Sequence, residues 1–308
     1  MKIAVVGAGG LGSYIGAVLC RVDHDVTLVT RGAHAAAVRS GGLYVRTVDG
    51  DFEAHPHCVE SALELDGADL TFVTVKSYSL DDVGPQIVHL AQAGSVVVPL
   101  LNGVTASERL VGLGVPPSRL VDGIAYVTAF RTDPGHIDRK GSHQRLVVGS
   151  STGAGTDAVA LVADAFSDTG VEVTEAEDVL VALWEKMAVV CSLSVICAIT
   201  GGSMGPIRGH RFGPELQRRA IAEVTAVARS RGVRLAGDTE ARIGAILDAF
   251  PADFFPSVIH DLRSGRRTEM EELGGTIARL ASEAGVEAPL HEAATCAVQL
   301  AEDVDRAK

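Results

Sequence analysis

The first twelve residues constrain this chain more than any other stretch. Met1-Lys2-Ile3-Ala4-Val5-Val6 is a short apolar run with strand character. It breaks directly into Gly7-Ala8-Gly9-Gly10-Leu11-Gly12 and then a helix-compatible segment to about Cys20. The pattern G-x-G-x-x-G after a strand and at the opening of a helix points to a dinucleotide site, whereas the same glycines elsewhere would mark only a turn. The first glycine allows the tight turn, the second lets backbone amides approach a pyrophosphate, and the third lets helix and strand pack closely. The helix N-terminus adds its partial positive charge. Gly7, Gly9, Gly10 and Gly12 are therefore the candidate cofactor-binding glycines.

The next strand bears on which dinucleotide. His24-Asp25 leads into Val26-Thr27-Leu28-Val29-Thr30, followed by Arg31-Gly32. A site for NAD usually carries an acid near this strand's end to accept from the ribose 2′-hydroxyl. Here the end carries Thr30 and Arg31. A carboxylate would repel a 2′-phosphate, whereas a guanidinium grips it through two parallel hydrogen bonds. The expected cofactor is NADPH/NADP+, with Arg31 as its reader; the competing view of Arg31 is a solvated loop charge.

At 308 residues the chain has room for two domains, and 47% hydrophobic with 21% charged residues suits a folded protein with a large core. The net charge of -12, with no basic stripe, argues against nucleic acid and anionic membrane surfaces as partners. A small anionic or carbonyl substrate remains compatible. Five scattered cysteines without a C-x-x-C suggest buried thiols in a reducing cytoplasm. His55-Pro56-His57-Cys58 reads as a Pro-bearing loop, and no metal site is expected. The N-terminal apolar run is too short for a signal peptide. The longest apolar stretch, Met187 to Thr200, is too short to span a bilayer and reads as a buried helix.

Strand and helix signals alternate through the first half, which argues a mostly parallel, doubly wound sheet. Strands are expected at Lys2–Val6, Val26–Val29, Leu70–Thr74, Ser95–Pro99, Arg119–Ala129, Arg145–Gly149 and Val171–Thr174. Two of them end in polar punctuation, Lys76-Ser77 and Leu101-Asn102-Gly103. From about Glu177 only helical spacing remains, as in Leu216, Ala220, Ile221, Val224, Val227 and Ala228. The domains are expected at 1–174 and 175–308. The apolar helix faces of the second fit either its own core or a homodimer interface.

A reductase using a nicotinamide needs a proton donor and positive charge where an alkoxide develops. Leu183-Trp184-Glu185-Lys186-Met187-Ala188 supplies a candidate, because Lys186 opens an almost wholly apolar helix. Either its stem snorkels to solvent or its ammonium polarises a carbonyl. Thr268-Glu269 follows the basic run Arg263-Ser264-Gly265-Arg266-Arg267. Ser257 and Asp261, four apart, share a helix face. Each has a plainer reading: Thr268 and Ser257 as caps, Asp261 as a solvated charge.

Taken together these features resemble the ketopantoate reductase (2-dehydropantoate 2-reductase) family. The resemblance rests on Gly7/Gly9/Gly12, Arg31, Val75-Lys76-Ser77, Leu101-Asn102-Gly103-Val104, Pro134-Gly135-His136-Ile137, Trp184-Glu185-Lys186-Met187 and Ser257…Asp261…Arg266-Arg267-Thr268-Glu269. It implies an α/β fold, an N-terminal Rossmann-type doubly wound sheet with a C-terminal all-helical domain. It implies NADPH as cofactor, Lys186 as general acid and Glu269 as its orienting partner. Lys76 and Asn102 are then expected near nicotinamide and substrate, and Ser257 at the substrate carboxylate.

The chain departs from the family where the substrate would be read. Members that reduce ketopantoate carry asparagines one and two turns after the catalytic lysine, where this chain has Val190 and Ser194. A further asparagine is replaced by Phe254. A site that bonds a hydroxyl rejects analogues lacking one, so losing such groups alters selectivity. The leading expectation is NADPH-dependent reduction of a small 2-oxo acid, ketopantoate first. The alternatives are a paralogue acting on a more apolar ketone or 2-oxo acid, an opine-type dehydrogenase, or a non-catalytic NADPH-binding regulator.

Overall fold

The computed structural model describes residues 1–306, and their internal contacts divide the chain into two compact units. The first comprises Met1–Leu101 and Thr105–Val179; the second comprises Asn102–Val104 and the chain from Leu180 onward. In chain order the first unit holds β1 (Lys2–Val6), α1 (Gly10–Cys20), β2 (Asp25–Val29), α2 (Gly32–Gly41), β3 (Leu43–Arg46), β4 (Phe52–Ala54) and β5 (His57–Val59). It continues through β6 (Leu70–Val73), α3 (Leu80–Gln92), β7 (Val96–Pro99), α4 (Ala106–Leu113), β8 (Asp122–Asp133), β9 (His136–Gly149), α5 (Thr156–Ala165) and β10 (Glu172–Glu175).

Parallel strands covered on both faces read as unbroken apolar runs, because neither face meets water. That is why Ile3-Ala4-Val5-Val6 and Val96-Val97-Val98 are legible as strands. Five parallel strands lie in the order β5-β2-β1-β6-β7. The pleat sends alternate residues to opposite sides. Ile3, Val5, Leu28, Phe72 and Val98 enter one core; Ala4, Val6, Val29, Val73 and Val97 enter the other, with Leu80, Ile87 and Leu90 of α3.

The remaining strands form a second sheet. β8 and β9 make a long antiparallel hairpin closed by Pro134-Gly135. β8 occupies one edge of β9 throughout, so β3 at His136–Asp138 and β10 at Arg145–Val148 share the other edge. β4 pairs antiparallel with β3. Side chains of α1 share one core with both sheets, including Leu43, Val45, Ile137, Leu146 and Val148 of the second. A helix buried all round must be apolar all round, and Ser13 to Leu19 are buried without interruption.

Several expectations need correction here. Only His55-Pro56 is a loop, linking β4 to β5; His57–Val59 is β5, pairing with Thr27–Val29. β3 to β5 were not anticipated, being three or four residues long and mixed in polarity. The strand expected from Arg119 starts at Asp122, and the one expected at Arg145 begins at His136, nine residues earlier.

The second unit is helical: α6 (Val179–Thr200), α7 (Met204–Gly209), α8 (Gly213–Ser230), α9 (Thr239–Asp248), α10 (Ser257–Arg263), α11 (Thr276–Ala284) and α12 (Pro289–Arg306). A π-helical turn, Glu271–Gly275, leads into α11. The core joins Trp184, Met187, Cys191 and Ile196 of α6 to Ile221, Val224 and Val227 of α8 and Ile277 and Leu280 of α11. At the start of α12, Glu223 of α8 accepts from the amides of Leu290 (3.1 Å) and His291 (3.2 Å) and pairs with the buried His291 ring (2.6 Å). With 22 residues, α6 is longer than the stretch read from sequence. By length and composition alone it could cross a bilayer; 56% of its most apolar window is buried inside the protein.

A Cβ at Gly10 would collide with the Ala129 carbonyl of β8, whereas one at Gly9 would meet no atom within 4 Å. Gly10→Ala should therefore cost about 1–3 kcal/mol, as overpacking does, while Gly9→Ala leaves the melting temperature unchanged. Thermal unfolding of the two variants checks this.

Candidate active site

The end of the first unit where β1 meets α1 is built on glycines with separable tasks. Gly7 sits at φ +99°, a conformation costly for side-chain-bearing residues, and its amide donates to Val29 O at 3.1 Å. A Cβ there would also approach Val75 Cγ1 to 2.6 Å. Gly12 lies against the Gly7 carbonyl and Thr74 Oγ1, leaving no room for a methyl group. Thr74 Oγ1 donates to that same carbonyl at 2.6 Å. Gly9 faces open space and caps α1 without a side-chain hydrogen bond. The first amides of a helix have no intrahelical partner. Open space at Gly9 above uncapped amides fits a pyrophosphate. Gly10, expected among the cofactor contacts, has another constraint: it permits β8 to pack on α1.

The other candidates of this unit stand at the carboxyl ends of parallel strands, where open α/β sheets hold ligands. Arg31 is exposed, two residues past β2, and is the extended N-cap of α2. Lys76 is exposed, three residues past β6, before a 3₁₀ turn at Ser77–Ser79. Asn102 lies three residues past β7, half-buried, and its contacts group it with the second unit.

His34, near the start of α2, was not singled out by sequence. It is 3% exposed, accepts from the Gly135 amide at Nδ1 (3.0 Å), and bonds Ser13 Oγ through Nε2 (3.0 Å). Burial first, then the Arg131 charge, lowers its pKa to about 4. No local signal marks it, because both partners lie far away in sequence.

In the second unit, Lys186 does not open its helix; it lies in the third turn of α6. Val190 follows one turn later and is half-buried. Ser194, two turns later, is fully buried, and its hydroxyl has no hydrogen-bond partner. Lys186 retains partial exposure as a residue, but its ammonium lies in a desolvated surround. Desolvation lowers its pKa to about 8, against the opposing pull of the Glu269 carboxylate. Glu269 is buried, immediately before the π-helical turn, and its carbonyl accepts from Leu273 N at 3.0 Å. Thr268 Oγ1 accepts from Met270 N (3.2 Å) in a local turn; the cap of the following π-helical turn is Met270, not Thr268.

The remaining substrate-side candidates are more dispersed. Ser257 is exposed as the first residue of α10. Asp261 accepts from Arg266 Nε at 2.9 Å, so it is an ion-pair partner and not a solvated charge. The Phe254 ring packs on Phe250 with centroids 4.4 Å apart. Sequence reading also missed Glu272, whose carboxyl is pushed up by burial and whose Oε2 is buried without a hydrogen bond. Among the described residues no group of three or more His, Cys, Asp or Glu side chains is arranged to hold a metal ion.

Comparison with known proteins agrees in both units. The family described as ketopantoate reductase PanE/ApbA matches residues 3–153, and its C-terminal counterpart matches residues 178–302. The 2-dehydropantoate 2-reductase of Halobacterium salinarum is 30% identical, covering 98% of this chain and 99% of its own. A ketopantoate reductase structure from Ralstonia eutropha superposes with TM-score 0.90 at 30% identity, covering 99% of this chain and 100% of that one. A D-mandelate dehydrogenase solved with NADH and anilino(oxo)acetate shares the fold, with TM-score 0.89, 24% identity, and coverage of 99% and 100%.

The buried ammonium has a measurable consequence. A lysine whose pKa falls from 10.5 to about 8 on folding binds fewer protons folded than unfolded between those values. Its contribution to stability therefore rises with pH across that window and is least favourable below it. Lys186→Met, compared in a Glu269→Gln background so that no buried carboxylate is left unpaired, should raise the melting temperature at pH 7. The gain should shrink as pH rises from about 8 towards 10.5.

Proposed function

The chain belongs to the ketopantoate reductase family, and from that premise we propose that it catalyses the NADPH-dependent reduction of a small 2-oxo acid. Ketopantoate (2-dehydropantoate), giving pantoate, is the leading substrate. The observation that carries the reading is Lys186: an ammonium in an apolar helix, desolvated so that its pKa falls to about 8, and coupled to the buried carboxylate of Glu269. A group with that pKa is still protonated near neutrality and gives its proton up readily, as a general acid must.

In this reading Gly7, Gly9 and Gly12 with the start of α1 hold the pyrophosphate, Arg31 holds the 2′-phosphate, and Lys76 and Asn102 lie towards the nicotinamide and substrate. Bound there, the nicotinamide supplies the hydride that reaches the carbonyl carbon. Lys186 donates a hydrogen bond to the carbonyl oxygen and transfers its proton as negative charge develops there, leaving a neutral amine and a hydroxyl product. Glu269 keeps Lys186 protonated beforehand and orients it. Ser257 meets the carboxylate. The setting is a reducing cytoplasm, which suits the five free thiols.

Val190 and Phe254 favour a second substrate reading, a more apolar 2-oxo acid or ketone, because neither side chain can bond a substrate hydroxyl. NADPH oxidation measured with ketopantoate and with a panel of apolar 2-oxo acids decides between them. Turnover of ketopantoate supports the first reading, and preference for apolar members supports the second. Lys186→Ala should lower kcat about 10²–10⁴-fold on the active substrate; unchanged turnover would remove Lys186 from the chemistry, and no turnover of any carbonyl by the native protein would favour a regulatory binder. The acid form is the active one, so kcat should fall as pH rises through about 8. Glu269→Gln removes the charge that raises the Lys186 pKa and should move that limb to lower pH. Arg31→Ala should weaken NADPH binding far more than NADH binding.

A further inference from the structure

We propose that His34 is a positioning residue for the cofactor site, a neutral imidazole that sets the separation between the phosphate-facing turn of α1 and the Arg31 start of α2. The proposal rests on the cofactor reading above, since it takes those two elements to grip one dinucleotide.

Its basis is a set of hydrogen bonds that converge on one buried ring. The Gly135 amide can only donate, so His34 Nδ1 must carry a lone pair and the ring proton must sit on Nε2. Nε2 then donates to Ser13 Oγ, and both contacts are 3.0 Å. Ser13 directly follows Gly12 in the first turn of α1. His34 is the third residue of α2, three residues after Arg31. Gly135 is the turn of the β8–β9 hairpin at φ +79°, and its carbonyl accepts from Tyr44 N of β3 at 2.9 Å. One residue, Gly135, thus ties down both ends of the α2–β3 segment, its amide holding His34 at one end and its carbonyl holding Tyr44 at the other.

The arrangement has little slack. The ring is 3% exposed, so water has little access to replace either bond. An imidazolium would present N–H at Nδ1 to an amide that also donates, so the bonding pattern exists only with the neutral ring. Ser13 itself is fully buried, and removing the ring strands its hydroxyl and the Gly135 amide together. Relaxation that rescues those groups shifts the start of α2, and Arg31 moves with it. A guanidinium that grips a 2′-phosphate through two parallel bonds is sensitive to such a shift, whereas binding at the pyrophosphate alone is not.

The test uses the full-length protein and compares dissociation constants for NADPH and NADH, with kinetics and thermal unfolding alongside. His34→Ala should weaken NADPH binding about tenfold and NADH binding only slightly, so the preference for NADPH shrinks. The loss should appear as a raised KM for NADPH with little change in kcat. Ser13→Ala removes only the Nε2 partner and should give a smaller change in the same direction. His34→Gln offers one acceptor and one donor and should restore part of the preference. Should His34→Ala fail to fold, Ser13→Ala and His34→Gln carry the comparison. If the native protein prefers NADPH and the folded variants keep that preference while losing only melting temperature, His34 is merely structural and the proposal falls. If the native protein binds neither dinucleotide, or binds both equally, the cofactor reading fails and takes the proposal with it.

Discussion

The close approach of α1 to the end of β1 is the contact on which the first unit depends. Gly12 lies against the Gly7 carbonyl, and Thr74 secures that carbonyl from the neighbouring strand. Only because nothing intervenes can α1 lie flat on the parallel sheet and present its first turn beyond the strand ends. The same helix supports the second sheet on its far side, where Gly10 admits the β8 backbone. A single eleven-residue helix thus carries two sheets and a candidate anion site. Its glycines divide between those duties in a way that a consensus pattern does not reveal.

The second unit places its chemistry by a different means. Lys186, the proton donor of the proposed function, is desolvated by its apolar surroundings. A lysine in the third turn of an apolar helix weakens the fold that holds it, and the buried Glu269 offsets only part of that cost. A π-helical turn over Glu271–Gly275 follows Glu269 closely in sequence. Irregular helical turns of this kind recur at functional sites. In the proposed function, substrate selectivity in this unit would fall to side chains that cannot form hydrogen bonds, Val190 and Phe254, while the Ser194 hydroxyl is sealed in the core.

What the sequence made legible follows from how each feature is encoded. β1, β6 and β7 show as apolar runs because both their faces are covered. The glycine turn shows because φ and close packing leave no other residue possible at Gly7 and Gly12. β3, β4 and β5 do not show, because three or four mixed residues carry too little periodicity to separate strand from loop. The start of α6 lies two turns before the apolar run that opens at Met187, because Val179 to Leu183 are apolar too but stand behind an acidic connector and are cut off from that run by Glu185-Lys186. Lys186 stood out as a lone cation in that run. His34 could not, since its meaning lies in Ser13 and Gly135, 21 and 101 residues away.

The two helix starts bracketing the molecule's sequence use one electrostatic property in opposite ways. At α12 the chain supplies its own anion: Glu223 reaches across from α8 and takes the amides of Leu290 and His291. At α1 the corresponding position is a glycine with no side chain to offer. In the proposed function the α1 start is left to a foreign phosphate, whereas the α12 amides are already taken by the protein's own carboxylate. On that proposal an acidic protein of net charge -12 would take an anionic guest at the one helix end whose amides it leaves open and keep its own anion at the other.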